Sequence, residues 1–240
     1  MPLQAVESKR LYRQIAEQLR ALIAAGEFPL ASRLPPERDL AAQLGVSRPS
    51  VREALIALEV EGLVEVRMGS GIYVPALDAA PAARRAVESA LGPFDIIRAR
   101  ALIEAELAAV AARERTPALL KKLRAAVKAM EDDIARGVMP IRGDREFHLA
   151  LAEASANAAL LRVVTDLFDE RNNPLFEQLG RHFENARSWR CAVAEHRAVV
   201  RAVAAGEVAA ARRAMQLHLQ NSHDRFAAAL EEPVAPRKAA

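Results

Sequence analysis

Cysteine is all but missing: Cys191 stands alone among 240 residues, so no intramolecular disulfide can form and disulfide-stapled secreted scaffolds are excluded. Aromatic residues make up 4% and glycine only 10 positions, too few for a turn-rich, all-β fold. No uncharged apolar run nears the roughly 18 residues that a membrane-spanning helix needs. The charged opening MPLQAVESKRLYRQ also lacks the apolar core of a secretory leader. The expectation is a cytoplasmic protein with no membrane partner. Charge of one sign is lacking too: 34 Lys and Arg against 31 Asp and Glu leave +3, so bulk charge names no partner. What abounds is alanine, 52 residues of it, within a hydrophobic share of 52%. Such a chain favours helix nearly throughout and is long enough to bury a core.

One stretch reads as strand. GLVEVRMGSGIYV contains a β-rich run at 64–67, a glycine-bearing turn at 68–71 and a second run at 72–74, which together make a short hairpin. Three helical segments precede it. The first places Tyr12, Ile15, Leu19 and Leu22 on one face and ends near Gly26. The second lies between Pro36 and the breaker Gly45, and the third begins at Ser47, a good N-cap, buries Val51, Leu55 and Leu58, and ends at Gly62. Helix, helix, tight turn, helix, hairpin is a winged helix-turn-helix, expected over 8–75. The proline-punctuated, weakly apolar stretch at 76–92 reads as a linker. Helical periodicity then recurs at 95–115, 117–135, 144–154, 158–171, 187–205 and 208–230, an antiparallel all-α bundle over 93–232 followed by a flexible tail at 233–240. The fold class is therefore mostly α.

The first 76 residues carry nine basic and nine acidic side chains, so composition alone would not suggest DNA. Distribution does: Arg33, Arg38, Arg48 and Arg52 gather around the helix-turn-helix. Arg48, Ser50 and Arg52 fall on the first turns of the second helix of that unit, off the stripe of Val51 and Leu55, where a recognition helix meets base edges. A guanidinium can donate two hydrogen bonds to guanine O6 and N7, and Ser47 or Ser50 can reach phosphate oxygens. The competing reading is a protein-interaction module with a solvated basic face.

RLPPERDLAAQLGVSRPSVREALIALEVEGLVEVRMGSGIYV resembles the DNA-binding domain of the GntR transcription factors, in its LP-x-ER-x-LA, its GVSR-x-x-VREAL and its G-x-G wing. The resemblance implies that Arg38, Ser47, Arg48, Ser50 and Arg52 contact double-stranded operator DNA through the major groove or its flanking phosphates. Gly69, at the wing tip, would enter the minor groove. The remainder, from FDIIRARALIEAELAAVAARE through DREFHLALAEASAN to AEHRAVVRAVAAGEVAAARRAMQLHL, resembles the FCD effector domain of the FadR subfamily. Many such domains hold a divalent metal on one Asp and three His, and the pattern is present here as Asp144, His148, His196 and His218. Helical phase agrees: Asp144 and His148 are i and i+4 on a face with Leu151, His196 follows the stripe Trp189, Val193, Val200, Val203, and His218 lies three residues after Met215. A carboxylate with three imidazoles suits zinc, and also nickel or manganese. His182 is expected at the surface, and His223 stands in reserve.

Arg100 interrupts the stripe Ile96, Ile103, Leu107, Val110, so a guanidinium should face the bundle interior, where it needs a partner. The resemblance directs it to a ligand pocket, where its fork of donors would hold a carboxylate. The competing reading is an ion pair with Asp95 or Glu104. Asn157 either caps the next helix or faces the pocket. Two function classes follow. One is a ligand-responsive homodimeric regulator, as a rule a repressor, whose effector is a small carboxylate. The other is a metal-dependent hydrolase, which lacks a placed general base and leaves the winged helix without a role. The chain as a whole looks most like hexuronate regulators of the ExuR and UxuR type, which implies a sugar acid, with a dicarboxylate or another hydroxy acid as the other option.

Overall fold

The computed structural model describes residues 11–67, 69–75 and 91–228. Met68, nearly all of the expected linker and the expected tail lie outside them. The described residues form two compact units: one takes those up to Gly92 with Asn173–Gln178, the other Pro93–Asn172 and the residues from Leu179 on.

In the first unit, α1 (Leu11–Ala24) turns Tyr12, Ile15, Ala16 and Leu19 inward at the expected helical spacing. Helix α2 (Glu37–Leu44) stops at Gly45, whose φ of 66° lets its N–H return to the Ala41 carbonyl; a β-carbon would strain that turn. Ser47 then caps α3 (Arg48–Val60), accepting a hydrogen bond from the Ser50 N–H, with a proline in the first turn. The wing is the antiparallel pair β1 (Glu65–Arg67) and β2 (Gly71–Tyr73), registered Glu65 to Tyr73, Val66 to Ile72 and Arg67 to Gly71. Val66 and Ile72 oppose each other on the buried face while Glu65 and Arg67 face water. A third segment escaped the sequence pattern: Ala31 and Leu34 donate to the Val74 and Ile72 carbonyls, and Arg33 bridges Tyr73. Too short to alternate, it is strand only because β2 offers an open edge.

The second unit is a helical bundle built from α4 (Pro93–Glu114), α5 (Pro117–Ala135), α6 (Ile141–Glu153), α7 (Ala158–Asp169), α9 (Ala186–Ala205) and α10 (Val208–Ala228). A further helix, α8 (Pro174–Phe183), is divided between the two units at Gln178; it was not anticipated, although Asn173 followed by Pro174 is a helix-start signature. Helix α6 also starts three residues before the expected Asp144. The core joins Leu123, Met130, Phe147, Leu151, Val199, Val203, Met215 and Leu219 from α5, α6, α9 and α10, with the alanines of α4 against them. Those alanines let α4 and α10 approach closely. Gly143 does the same for α6: a β-carbon there would lie 2.7 Å from the Ala126 carbonyl oxygen of α5. The next residue is Asp144, so this close crossing sets where its carboxylate stands. Among the described residues no helix is long and apolar enough to cross a membrane.

Candidate functional site

The residues expected to contact DNA gather around the start of α3 and the hairpin tip. Ser47 is exposed, Arg48 and Ser50 are half-buried, and the exposed Arg38 on α2 lies beside Asp39. Gly69 is exposed at the hairpin tip with a φ of 68°. Arg52 departs from expectation. Its side chain has no exposed surface, and its Nε and Nη2 donate to Glu37 Oε2 at 3.2 and 2.8 Å, across the α2–α3 packing. A base contact is not available to it in this arrangement. Helical position put Arg52 near the face, but the buried Glu37, fifteen residues earlier, draws the guanidinium beneath it.

In the second unit Asp144, His148, His196 and His218 converge, one ligand atom from each lying within 4.8 Å of all the others. His196 Nε2 stands 3.3 Å from His148 Nε2 and 3.1 Å from Asp144 Oδ1, and His148 Nε2 is 3.5 Å from that same oxygen. Donors bound at 2.0–2.2 Å to one tetrahedral ion stand about 3.3–3.6 Å apart, so these separations fit a shared cation. The opposite ring edges are committed. His196 Nδ1 donates to the Ala192 carbonyl at 2.7 Å, and His218 Nδ1 to Glu195 Oε2 at 2.8 Å. His148 Nδ1 contacts Glu104 Oε2. Each tie leaves Nε2 for the centre, the arrangement by which outer carboxylates and carbonyls orient metal-ligating imidazoles.

The electrostatics agree. Burial and the neighbouring His196 pull His218 down to about 3, a neutral ring with a free lone pair. Burial opposes charge on His148 as well, but Glu104 and Asp144 outweigh it and the net direction is upward. A positive charge is thus favoured at the Asp144–His148 position, and a divalent cation satisfies the same field. Burial also works against ionised Glu104 and Glu195, yet Arg100 and His148 hold the former at about 2, and His218 and Arg225 the latter.

A cavity opens beside the cluster, lined by Arg100, Asp144, Arg171, Glu184, Trp189, His218 and Arg225 among others. Arg100 occupies both places that the sequence left open for it. Its Nε donates to Glu104 Oε1 at 2.6 Å while the side chain, packed over the Phe168 ring, forms part of the wall. Asp95 pairs instead with Arg98. Arg171 binds Asp144 Oδ2 at 2.5 Å and Glu184 at 3.1 Å, and Arg225 binds both oxygens of Glu195. The Trp189 indole N–H is buried at the wall and meets no acceptor among the described residues. Asn157 belongs elsewhere: exposed, it caps α7, accepting from the N–H groups of Ala159 and Leu160, and does not line the cavity. His182 is half-buried, and His223 lies edge-on to Phe94. Sequence reasoning did not find Glu195, Arg171 or Arg225, nor the link of Glu104 to His148. The only local signal was Glu195 beside His196.

Residues 11–74 match the bacterial regulatory proteins of the gntR family and residues 95–221 the FCD domain. The Uxu operon transcriptional regulator of Escherichia coli is 36% identical over 92% of this chain and 89% of its own length. The Exu regulon transcriptional regulator of that organism is 35% identical, over 92% and 86% respectively. A third E. coli relative, the putative L-lactate dehydrogenase operon regulatory protein, is 35% identical over 90% of this chain and 86% of its own. These matches are regulators rather than enzymes, which removes the hydrolase reading. With a winged helix ahead of an FCD domain and relatives similar along nearly the whole chain, this protein belongs to the GntR family of DNA-binding transcriptional regulators, in its FCD-bearing FadR subfamily.

Proposed function

We propose that the chain acts as a homodimer in which a small hydroxycarboxylate, held beside a divalent metal, loosens the grip of residues 8–75 on a two-fold operator. Arg48 and Ser50 read base edges, Arg38 and Ser47 hold phosphates, Gly69 lets the wing tip approach the minor groove, and Arg52 braces the helix from below. One short helix reads too few bases for genomic specificity, and pairing two half-sites supplies the rest. Asp144, His148, His196 and His218 hold the ion, zinc by the chemistry of the donor set, with nickel and manganese compatible. When bound, the ion supplies Lewis-acid positions for ligand oxygens.

The observation that carries this reading is the cavity wall: Arg100, Arg171 and Arg225 stand beside the metal cluster, with the Trp189 N–H left for an oxygen acceptor. Glu104 occupies the Nε and Nη2 edge of Arg100 and leaves Nη1 for a carboxylate. Ser222 adds a hydroxyl partner, which favours a hydroxylated acid such as a uronate over a plain dicarboxylate. The names of the Uxu and Exu relatives support the same choice. A ligand that prefers the poorly binding conformation by about 1.4 kcal/mol lowers operator affinity tenfold.

Operator fragments selected by the purified protein from genomic DNA, followed by fluorescence anisotropy, test this. D-glucuronate should raise the operator Kd at least tenfold in the zinc-loaded protein and leave it unchanged after chelation. Operator affinity indifferent to glucuronate, lactate and succinate alike would overturn the proposal.

A further inference from the structure

Although Asp144 and His218 reach the cavity wall themselves, each of the cavity arginines Arg100, Arg171 and Arg225 meets the cluster through a carboxylate that has two partners. Glu104 accepts from Arg100 on the cavity side and contacts His148 Nδ1 on the other. Glu195 accepts from Arg225 Nη1 at 2.7 Å and from His218 Nδ1 at 2.8 Å. Asp144 faces the cluster with Oδ1 and accepts from Arg171 with Oδ2. Glu104 and its partners Arg100 and His148 are almost wholly buried, so water screens that relay little. The pattern repeats three times around one cavity, although Arg100, Arg171 and Arg225 come from separate parts of the chain.

Resting on the metal-and-carboxylate reading above, we infer that Glu104, Glu195 and Asp144 couple the cavity arginines to the metal ligands, so that an anion in the cavity tightens metal binding without needing to touch the metal. The sign follows from charge. An arginine engaged by an incoming carboxylate shares its positive field and neutralises its protein carboxylate less. Glu104 and Glu195 then accept more strongly from the imidazole N–H groups, which makes the far Nε2 atoms better donors. Asp144 becomes a better donor directly. All three changes act in the same direction, so coupling is positive, and by reciprocity the metal tightens anion binding by the same factor. Glu104 and Glu195 are positioning residues: they act through His148 and His218.

Zinc affinity measured by competition with a chromophoric chelator, with and without saturating D-glucuronate, tests this on the full-length protein, with acetate as a second probe. In wild type either probe should tighten zinc about tenfold. Glu104→Gln and Glu195→Gln should each weaken zinc about 10- to 100-fold, the range found for outer partners of metal ligands. Each should also shrink the tightening ratio at least threefold, because a neutral amide cannot relay charge. Tightening that came only from direct ligation of the ion would keep the ratio intact in both variants, and that result overturns the inference. Should Glu104→Gln misfold around an unpaired guanidinium, Glu195→Gln, whose partner Arg225 is only part-buried, carries the test and must show the lost ratio. Zinc binding that neither probe tightens in wild type refutes the coupling alone; a wild type that takes no zinc refutes the metal reading and this inference with it.

Discussion

Arg52 separates two explanations of the same motif. If it reads a base, truncating it should remove about 1–3 kcal/mol of operator binding and leave the fold untouched. Burial against Glu37 calls for another outcome. Arg52→Ala takes the guanidinium away from a carboxylate that is 8% exposed in the α2–α3 interface. Breaking a buried pair by removing one partner costs about 3–5 kcal/mol. At about 1.4 kcal/mol per tenfold, that is two to three and a half powers of ten in local opening. Hydrogen exchange followed on peptides from α2 and α3 of the intact protein should therefore show protection falling by that factor, with operator binding weakened as a consequence. Arg52→Met combined with Glu37→Leu should recover most of the protection, because an apolar pair of similar volume needs no partner charge. A single Arg52→Ala variant with wild-type protection throughout α2 and α3, yet defective on operator DNA, would refute the buried-strut account and return Arg52 to the reading face.

Arg48→Ala should behave in the opposite way, losing about 1–3 kcal/mol of operator affinity with an unchanged melting temperature, as read by anisotropy and calorimetry on one preparation. Zinc at a hundred times its Kd should add about 2.7 kcal/mol of stability to the folded chain; His196→Ala should abolish that gain, and a chelator-insensitive melting temperature in wild type would count against the cluster. Asn157→Ala should lower stability by about 0.5–2 kcal/mol through loss of the α7 cap, while its operator release by glucuronate stays at the wild-type level. Phe147 packs edge-on to His196 with centroids 4.5 Å apart and is fully buried. Phe147→Ala should therefore destabilise the bundle by about 3–5 kcal/mol, read by urea titration.

Local chemistry was legible from the chain by itself. Ser47 as a cap, Gly45 as a helix stop, and the 3.6-residue stripes of α1 and α9 depend only on neighbours a few positions away, so sequence determined them. The inward phase of His148, His196 and His218 was readable for the same reason. Tertiary structure alone decided what those side chains meet. Arg52 looks exposed until Glu37 of another helix captures it. Asn157 had two admissible roles, and the exposed start of α7 claimed it. Arg100 had two as well; Glu104, one turn along α4, takes its Nε, and the same side chain lines the cavity beside it. Glu195, Arg171 and Arg225 carry no periodic signature, since charged side chains are ordinary on helix surfaces. They became part of a site only when α4, α6, α9, α10 and the turn after α7 packed their polar ends around one point. Periodicity records which face of a helix turns inward, but which carboxylate lies opposite which arginine is set by how separate helices cross.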